Sequence, residues 1–307
     1  AWNPGIETEI PAAYRELETV YDTTNVSTTL DDIQQLVAET GLSALELISF
    51  RPRRLVLHEL IVRITADIVV QEGKAEEDLG INFRAIANQI FNRYLIPQLE
   101  MIEQNYDLIC SQIENITVSE IDSVIERLKP VKAPPPTWWQ RLTGSKPKSP
   151  VPLKSRQERE FELINEYKER GLSAEDEYEA AVFRSLHRVL GLIATKRGFI
   201  GNDPQYLSNI CILHASNYLS SQLIGRQVGE LVSIAVENEG YSLIPDADSP
   251  VLFSLKGASA SGKSWLRPML RSKLAKLGIE NHGYCTISPD IWRKLLLDYD
   301  SLGESFK

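Results

Sequence analysis

Val251-Leu252-Phe253-Ser254-Leu255-Lys256-Gly257-Ala258-Ser259-Ala260-Ser261-Gly262-Lys263-Ser264 is the stretch on which the fold class turns. Residues 251–255 form a short apolar run of the buried-strand type, and the eight residues from Gly257 fit the spacing G-x-x-x-x-G-K-[ST]. From Lys263 onward Leu266, Met269, Leu270, Leu274 and Leu277 give a helix its packed face, and Gly278 is a natural residue just past its end. Strand, glycine-bounded loop and helix in that order are what a phosphate cradle requires. Gly257 and Gly262 let the main chain wrap closely around an anion, so that the amides of Ala258, Ser259, Ala260 and Ser261 and the positive end of the helix all face it. Lys263 supplies a mobile positive charge for the terminal phosphates, and the Ser264 hydroxyl a ligand for Mg²⁺. The ligand implied is ATP or GTP with Mg²⁺. Pro268 removes the N–H that would bond back to Ser264, so a local irregularity is expected early in the helix.

Downstream, residues 282–287 read as a second strand, followed at once by Ser288-Pro289-Asp290-Ile291-Trp292-Arg293. Ser288 as a cap, Pro289 in a first turn and an acid beside it favour a helix start without any further role. In an open α/β sheet, however, the carboxyl ends of the strands frame the ligand crevice, which would put Asp290 in the same space as the phosphate loop. Over 251–307 the chain resembles the P-loop kinases of the zeta toxin and polynucleotide 5′-hydroxyl kinase group, in which the loop helix is followed by a strand and then an Asp-x-x-Arg element. That resemblance implies an ATP-dependent kinase with Asp290 as the general base on a substrate hydroxyl. Arg293 would then hold the acceptor or the reacting phosphates. It also implies a lid with further arginines downstream, for which this sequence has no residues. Some 50 residues follow Gly257, too few for a parallel sheet covered on both faces, so the α/β domain is expected to be truncated and to continue past Lys307.

Working back from the loop, the texture is helical. Residues 155–170, 174–196 and 204–234 carry apolar side chains at helical spacing, and Pro204 suits a first helical position. His187 and His214 fall inside these stretches and read as satisfied core or boundary residues. Lys129 to Lys154 is different: seven of the sixteen prolines and six Lys or Arg residues fall there, with no acid. It reads as an extended basic linker. Its Pro134-Pro135-Pro136-Thr137-Trp138-Trp139 core either docks a partner protein or pins the linker on one of its own domains. Before it, residues 11–129 are again helical. Thr29 leads into Asp31 and Asp32, and Thr117 stands three residues before Glu120, two helix-start signals. The Arg51-Pro52-Arg53-Arg54 cluster is either a basic contact point or a helix start with solvated arginines.

The organisation expected is therefore a helical domain over 1–128, the linker over 129–154, a helical region over 155–245 and the beginning of a P-loop kinase domain over 246–307. The fold class is mainly α, with the start of a C-terminal α/β P-loop NTPase domain. With 307 residues and a formal net charge of −9, the chain carries no broad electrostatic footprint for extended nucleic acid. A small-molecule hydroxyl acceptor, such as a nucleotide sugar, or a nucleic-acid end suits it better. No apolar run is long enough to span a membrane; residues 55–70 are interrupted by His58, Glu59, Arg63 and Asp67 and read as a core helix. The three scattered cysteines point to a reducing, cytoplasmic setting, and the opening on Ala1 without a leader reads as a trimmed N-terminus. Phosphoryl transfer is one function expected. The other is a nucleotide-dependent switch or scaffold, in which the helical region binds a partner protein and the loop regulates it.

Overall fold

A computed structural model describes residues 25–73, 76–129, 154–246, 248–257, 262–279 and 283–287. The described chain is mainly helical: α1 (Leu30–Thr40), α2 (Ala44–Leu47), α3 (Pro52–Asp67), α4 (Glu76–Ile90), α5 (Leu99–Leu128), α6 (Arg156–Ser173), α7 (Glu177–Arg197), α8 (Pro204–Glu239) and α9 (Lys263–Lys276). None of these helices is long and apolar enough to cross a membrane. They gather into two compact units, each discontinuous in sequence: residues 1–25, 51–104 and 223–307 in one, residues 26–50 and 105–222 in the other.

In the second of these units the helix ends follow local chemistry. The Thr29 hydroxyl accepts from the Asp32 amide to start α1, and Gly41 closes that helix at φ 80°. Ser155 and Glu158 form a reciprocal capping box at α6, and Asp176 caps α7. Helices α6 and α7 lie close together at Gly171, where an added Cβ would stand 3.1 Å from the Arg184 main-chain nitrogen. Leu163 and Tyr167 of α6, Leu186 and Ile193 of α7, and Ile210 and Cys211 of α8 are buried. His187 is satisfied as expected, its Nδ1 lying 3.1 Å from the Ile164 carbonyl.

In the other unit α3 begins on Pro52 and buries Val56, Leu60, Ile61 and Ile64. Gly225 and Gly229 of α8 leave room for the Glu59–Arg63 ion pair of α3, whose atoms would lie 3.3 Å from a Cβ at either glycine. Between α4 and α5 the chain widens to a π-turn at Phe91–Leu95 and tightens to a 3₁₀ turn at Ile96–Gln98. Pro97 accounts for it: the missing N–H breaks the i to i−4 ladder, and the adjacent turns absorb the break. At the far end of α8, Glu239 accepts from Arg93 and Tyr94 at 2.6 and 2.7 Å, and from Gln89.

Three expectations are corrected. Residues 251–255 form no strand, and Val251, Leu252 and Phe253 are 76, 85 and 61% exposed. Residues 283–287 form none either; residue 282 lies outside the described residues. An apolar run becomes a strand only when a neighbour satisfies its main-chain groups, and the pairing among described residues is confined to two isolated bridges, Val26 with Phe50 and Ile68 with Leu243. Thr117 does not start a helix. It lies inside α5, fully buried, with its hydroxyl unpartnered, and Glu120 reaches across to Tyr167 and Arg170 of α6. Nothing before Thr117 breaks the helix, so the Thr-x-x-Glu spacing has no orphan amide to cap. The linker residues 130–153, with Trp138 and Trp139, lie outside the described residues.

Candidate functional site

The loop helix α9 begins where the sequence places it. Gly262 takes the left-handed conformation, φ 81° and ψ 16°, and the helix starts at Lys263. Only glycine adopts that conformation without strain, so the second glycine of the motif is needed for the turn itself. The Trp265 amide donates to the Gly262 carbonyl at 3.1 Å, while helix geometry leaves the Lys263 and Ser264 amides without intrahelical acceptors. Those amides and the helix dipole favour an anion ahead of Gly262. Pro268 sits inside α9 without ending it, and the helix closes in a Schellman motif: Ile279 N–H donates to the Leu274 carbonyl at 3.0 Å, Gly278 N–H to that of Ala275 at 3.1 Å. Gly257 is exposed. Ala258, Ser259, Ala260 and Ser261 lie outside the described residues, as do the side chains of Lys263 and Ser264 and all of Asp290 and Arg293.

What surrounds the loop was not foreseeable from spacing. The segment leading to it is tied to the end of α3: Val69 N–H donates to the Ser242 carbonyl and Ile244 N–H to that of Asp67, both at 2.9 Å, around the Ile68–Leu243 bridge. The segment leaving it is tied a few residues further along the same stretch. Arg271 of α9 donates to the main-chain carbonyl of Gly73 at 2.9 Å and to that of Glu72 at 3.4 Å, and the Thr286 hydroxyl donates to the Glu72 carboxylate. Cys285 and Thr286 line a small cavity with Ile64, Thr65 and Ile68 from the α3 side and Phe83 of α4. The Thr65 hydroxyl is buried there without a partner. Tyr284 is pushed above the ordinary phenol range by burial and then by the Glu72 charge, with Arg271 opposing. Residues 67–73 therefore act as a strap touching the chain on both sides of α9.

A second cluster occupies the other unit. The Ser185 hydroxyl lies 2.8 Å from His214 Nδ1, and His214 Nε2 lies 3.6 Å from Glu46 Oε1. Hydroxyl, imidazole and carboxylate follow one another, but Ser185 is only 2% exposed, so no substrate carbonyl reaches it. Glu46 is engaged by Arg188 at 2.9 Å and by the Ser43 amide and hydroxyl at 2.9 and 2.7 Å. Burial holds the His214 pKa below its usual value, with Glu46 nearby opposing. The group is a satisfied polar crossing between helices, as the sequence reading assumed for His214. Among the described residues no group of three His, Cys, Asp or Glu side chains is placed to hold a metal ion. Comparison with protein-family models, with curated proteins and with solved structures gives no match.

Proposed function

We propose that the chain carries the nucleotide site of an ATP-dependent kinase of the zeta toxin type, in a P-loop α/β domain of which 246–307 is the beginning. The observation that carries this reading is the register of Gly257 to Ser264 together with the left-handed Gly262 directly ahead of α9. The reading is supported by the glycine conformation, the first-turn amides without intrahelical acceptors and the helix dipole, all of which favour an anion at one point. In this reading Lys263 neutralises the terminal phosphates of ATP or GTP and the Ser264 hydroxyl ligates Mg²⁺. Asp290 takes the proton from the acceptor hydroxyl as its oxygen bonds to the γ-phosphorus and the bond to the bridging oxygen breaks, releasing the nucleoside diphosphate. Arg293 steadies the transferring group. The acceptor is a small molecule with a free hydroxyl, such as a nucleotide sugar, or a nucleic-acid end; the net charge of −9 weighs against extended nucleic acid.

The strap favours a second reading, a nucleotide-dependent switch. Arg271 and Thr286 bond to Glu72 and Gly73, so the loop segment and the helices α3 and α4 share one anchorage. In that reading the helical region binds a partner protein, and nucleotide occupancy governs the binding.

Labelled ATP, Mg²⁺ and a panel of hydroxyl acceptors test the two. The kinase reading expects a labelled product that disappears in both Lys263→Ala and Asp290→Asn. Full transfer by Asp290→Asn would remove the assigned base. Nucleotide binding lost in Lys263→Ala, with no acceptor labelled by the unmodified chain, would leave the switch as the better account.

A further inference from the structure

We infer that the parts of the chain before and after residues 130–153 hold together without that connection, so that a chain cut there stays associated as a two-chain protein. Arg159 of α6 donates from Nη1 to the main-chain carbonyls of Arg127 and Lys129, at 3.1 and 3.0 Å. It thereby closes the end of α5, where the last carbonyls of a helix have no partners within the helix. On the other side of the connection Lys154 donates to the Glu162 carboxylate of α6, at 2.6 and 2.8 Å. Lys129 and Lys154 are thus both held on the first two turns of one helix. The 24 residues between them could reach about 80 Å if extended, far beyond the span of a single arginine side chain.

Beyond these ends, α5 and α6 meet along their length. Arg127 donates to Glu166, and Arg170 and Tyr167 both donate to Glu120. Ile121, Val124 and Leu128 of α5 and Leu163 and Tyr167 of α6 are buried. The same division of the chain is crossed again elsewhere in this unit, where Arg188 of α7 bonds to Glu46 and Lys196 to the Val37 carbonyl of α1. Each compact unit draws on both sides of the connection: residues 26–50 and 105–129 share one with 154–222, and residues 51–104 share the other with 223–246. Hydrolysis of one peptide bond within 130–153 takes up one water, leaves a carboxylate and an ammonium group, and removes none of these contacts. What it adds is a dependence of stability on concentration, because two chains must then find each other.

The test uses the full chain in two altered forms. In the first, a site-specific protease sequence replaces residues 140–146, and the protein is cut in native buffer and passed over a size-exclusion column with light scattering. Both fragments are expected in one peak at the mass of the intact chain. Urea is expected to separate them with a midpoint that falls on dilution, as the midpoint of the uncut chain does not. In the second form, eight Gly and Ser residues replace 130–153. Closing a shorter loop costs less entropy, so the ratio of folded to unfolded chains is expected to rise, by up to about fivefold for this change in length. Fragments that part in native buffer at micromolar concentration overturn the inference. So does a ratio lowered by the shortening, because the replaced segment would then have been holding the halves together itself.

Discussion

Two arginine–carboxylate pairs join α5 to α6, and they should differ in strength for reasons visible in their surroundings. Arg170 donates both Nη atoms to Glu120, at 2.8 and 2.7 Å, and the Tyr167 hydroxyl donates to the same carboxylate at 2.9 Å. The Arg170 guanidinium lies 3.9 Å from the Phe183 ring centre and 5.2 Å from that of Tyr167, and the side chains of Arg170 and Glu120 are 35 and 20% exposed. Arg127 and Glu166 have a similar bidentate geometry, 3.0 and 2.6 Å, but are 45 and 43% exposed. An exposed pair contributes about 0.5 kcal/mol. Glu120→Ala instead strands a stacked, half-buried cation and a buried phenol. Charge-assisted bonds contribute about 1.5 kcal/mol or more each when desolvated; with partial screening here, about 3 kcal/mol is expected in all. Urea unfolding at pH 7 of Glu120→Ala, Arg170→Ala and the double variant gives a coupling energy, expected near 2 kcal/mol. The corresponding cycle at Glu166 and Arg127 should give about 0.5 kcal/mol. Equal couplings in the two cycles, or a value under about 0.5 kcal/mol for Glu120 and Arg170, would refute the argument from burial and stacking.

Acid should destabilise the chain through Glu46. Burial opposes its ionisation, but Arg188 and the Ser43 amide and hydroxyl outweigh that and bring its pKa down to about 2 from 4.5. A carboxylate depressed in the folded state contributes stability that is complete above the unfolded value and lost as pH falls from about 4.5 toward 2. With solvent screening the contribution is about 1 to 2 kcal/mol, and Glu46→Gln should flatten the stability profile by that amount across this window. Gly171→Ala should lower the melting temperature by a few degrees, because the clash with the Arg184 main chain outweighs about 1 kcal/mol of helix propensity. Gly191→Ala, whose added Cβ meets nothing nearer than 3.7 Å, should raise it; the same sign for both would count against the close approach of α6 and α7.

The helices were legible because their signals are local. Thr29, Ser155 and Pro204 mark starts, Gly278 marks an end, and the apolar residues between them repeat at the helical period. Where the reading failed, the deciding partner was distant. Glu120 matched a cap three residues from Thr117, yet its partner is Arg170, 50 residues away. Residues 251–255 have a strand's composition, but a strand is a property of two segments and composition describes only one. At the candidate site the glycine turn and the helix start were legible from eight residues. The strap was not, since Arg271 and Gly73 stand 198 residues apart and nothing in either neighbourhood announces the other. The π-turn has a local signal of its own, the missing N–H of Pro97.

The discontinuity of the two units has a consequence for synthesis. Helices α3 and α4 leave the ribosome early, but the part of α8 that covers them, with Gly225 and Gly229 facing Glu59 and Arg63, begins only at Leu223. At cellular translation rates that is a wait on the order of ten seconds. During it Glu59 and Arg63 lack their α8 neighbours, while the unit formed by 26–50 and 105–222 is complete in sequence at Gln222. The nascent chain therefore finishes its interior piece first and its flanking piece last, and the interval between is when a chaperone has most to hold.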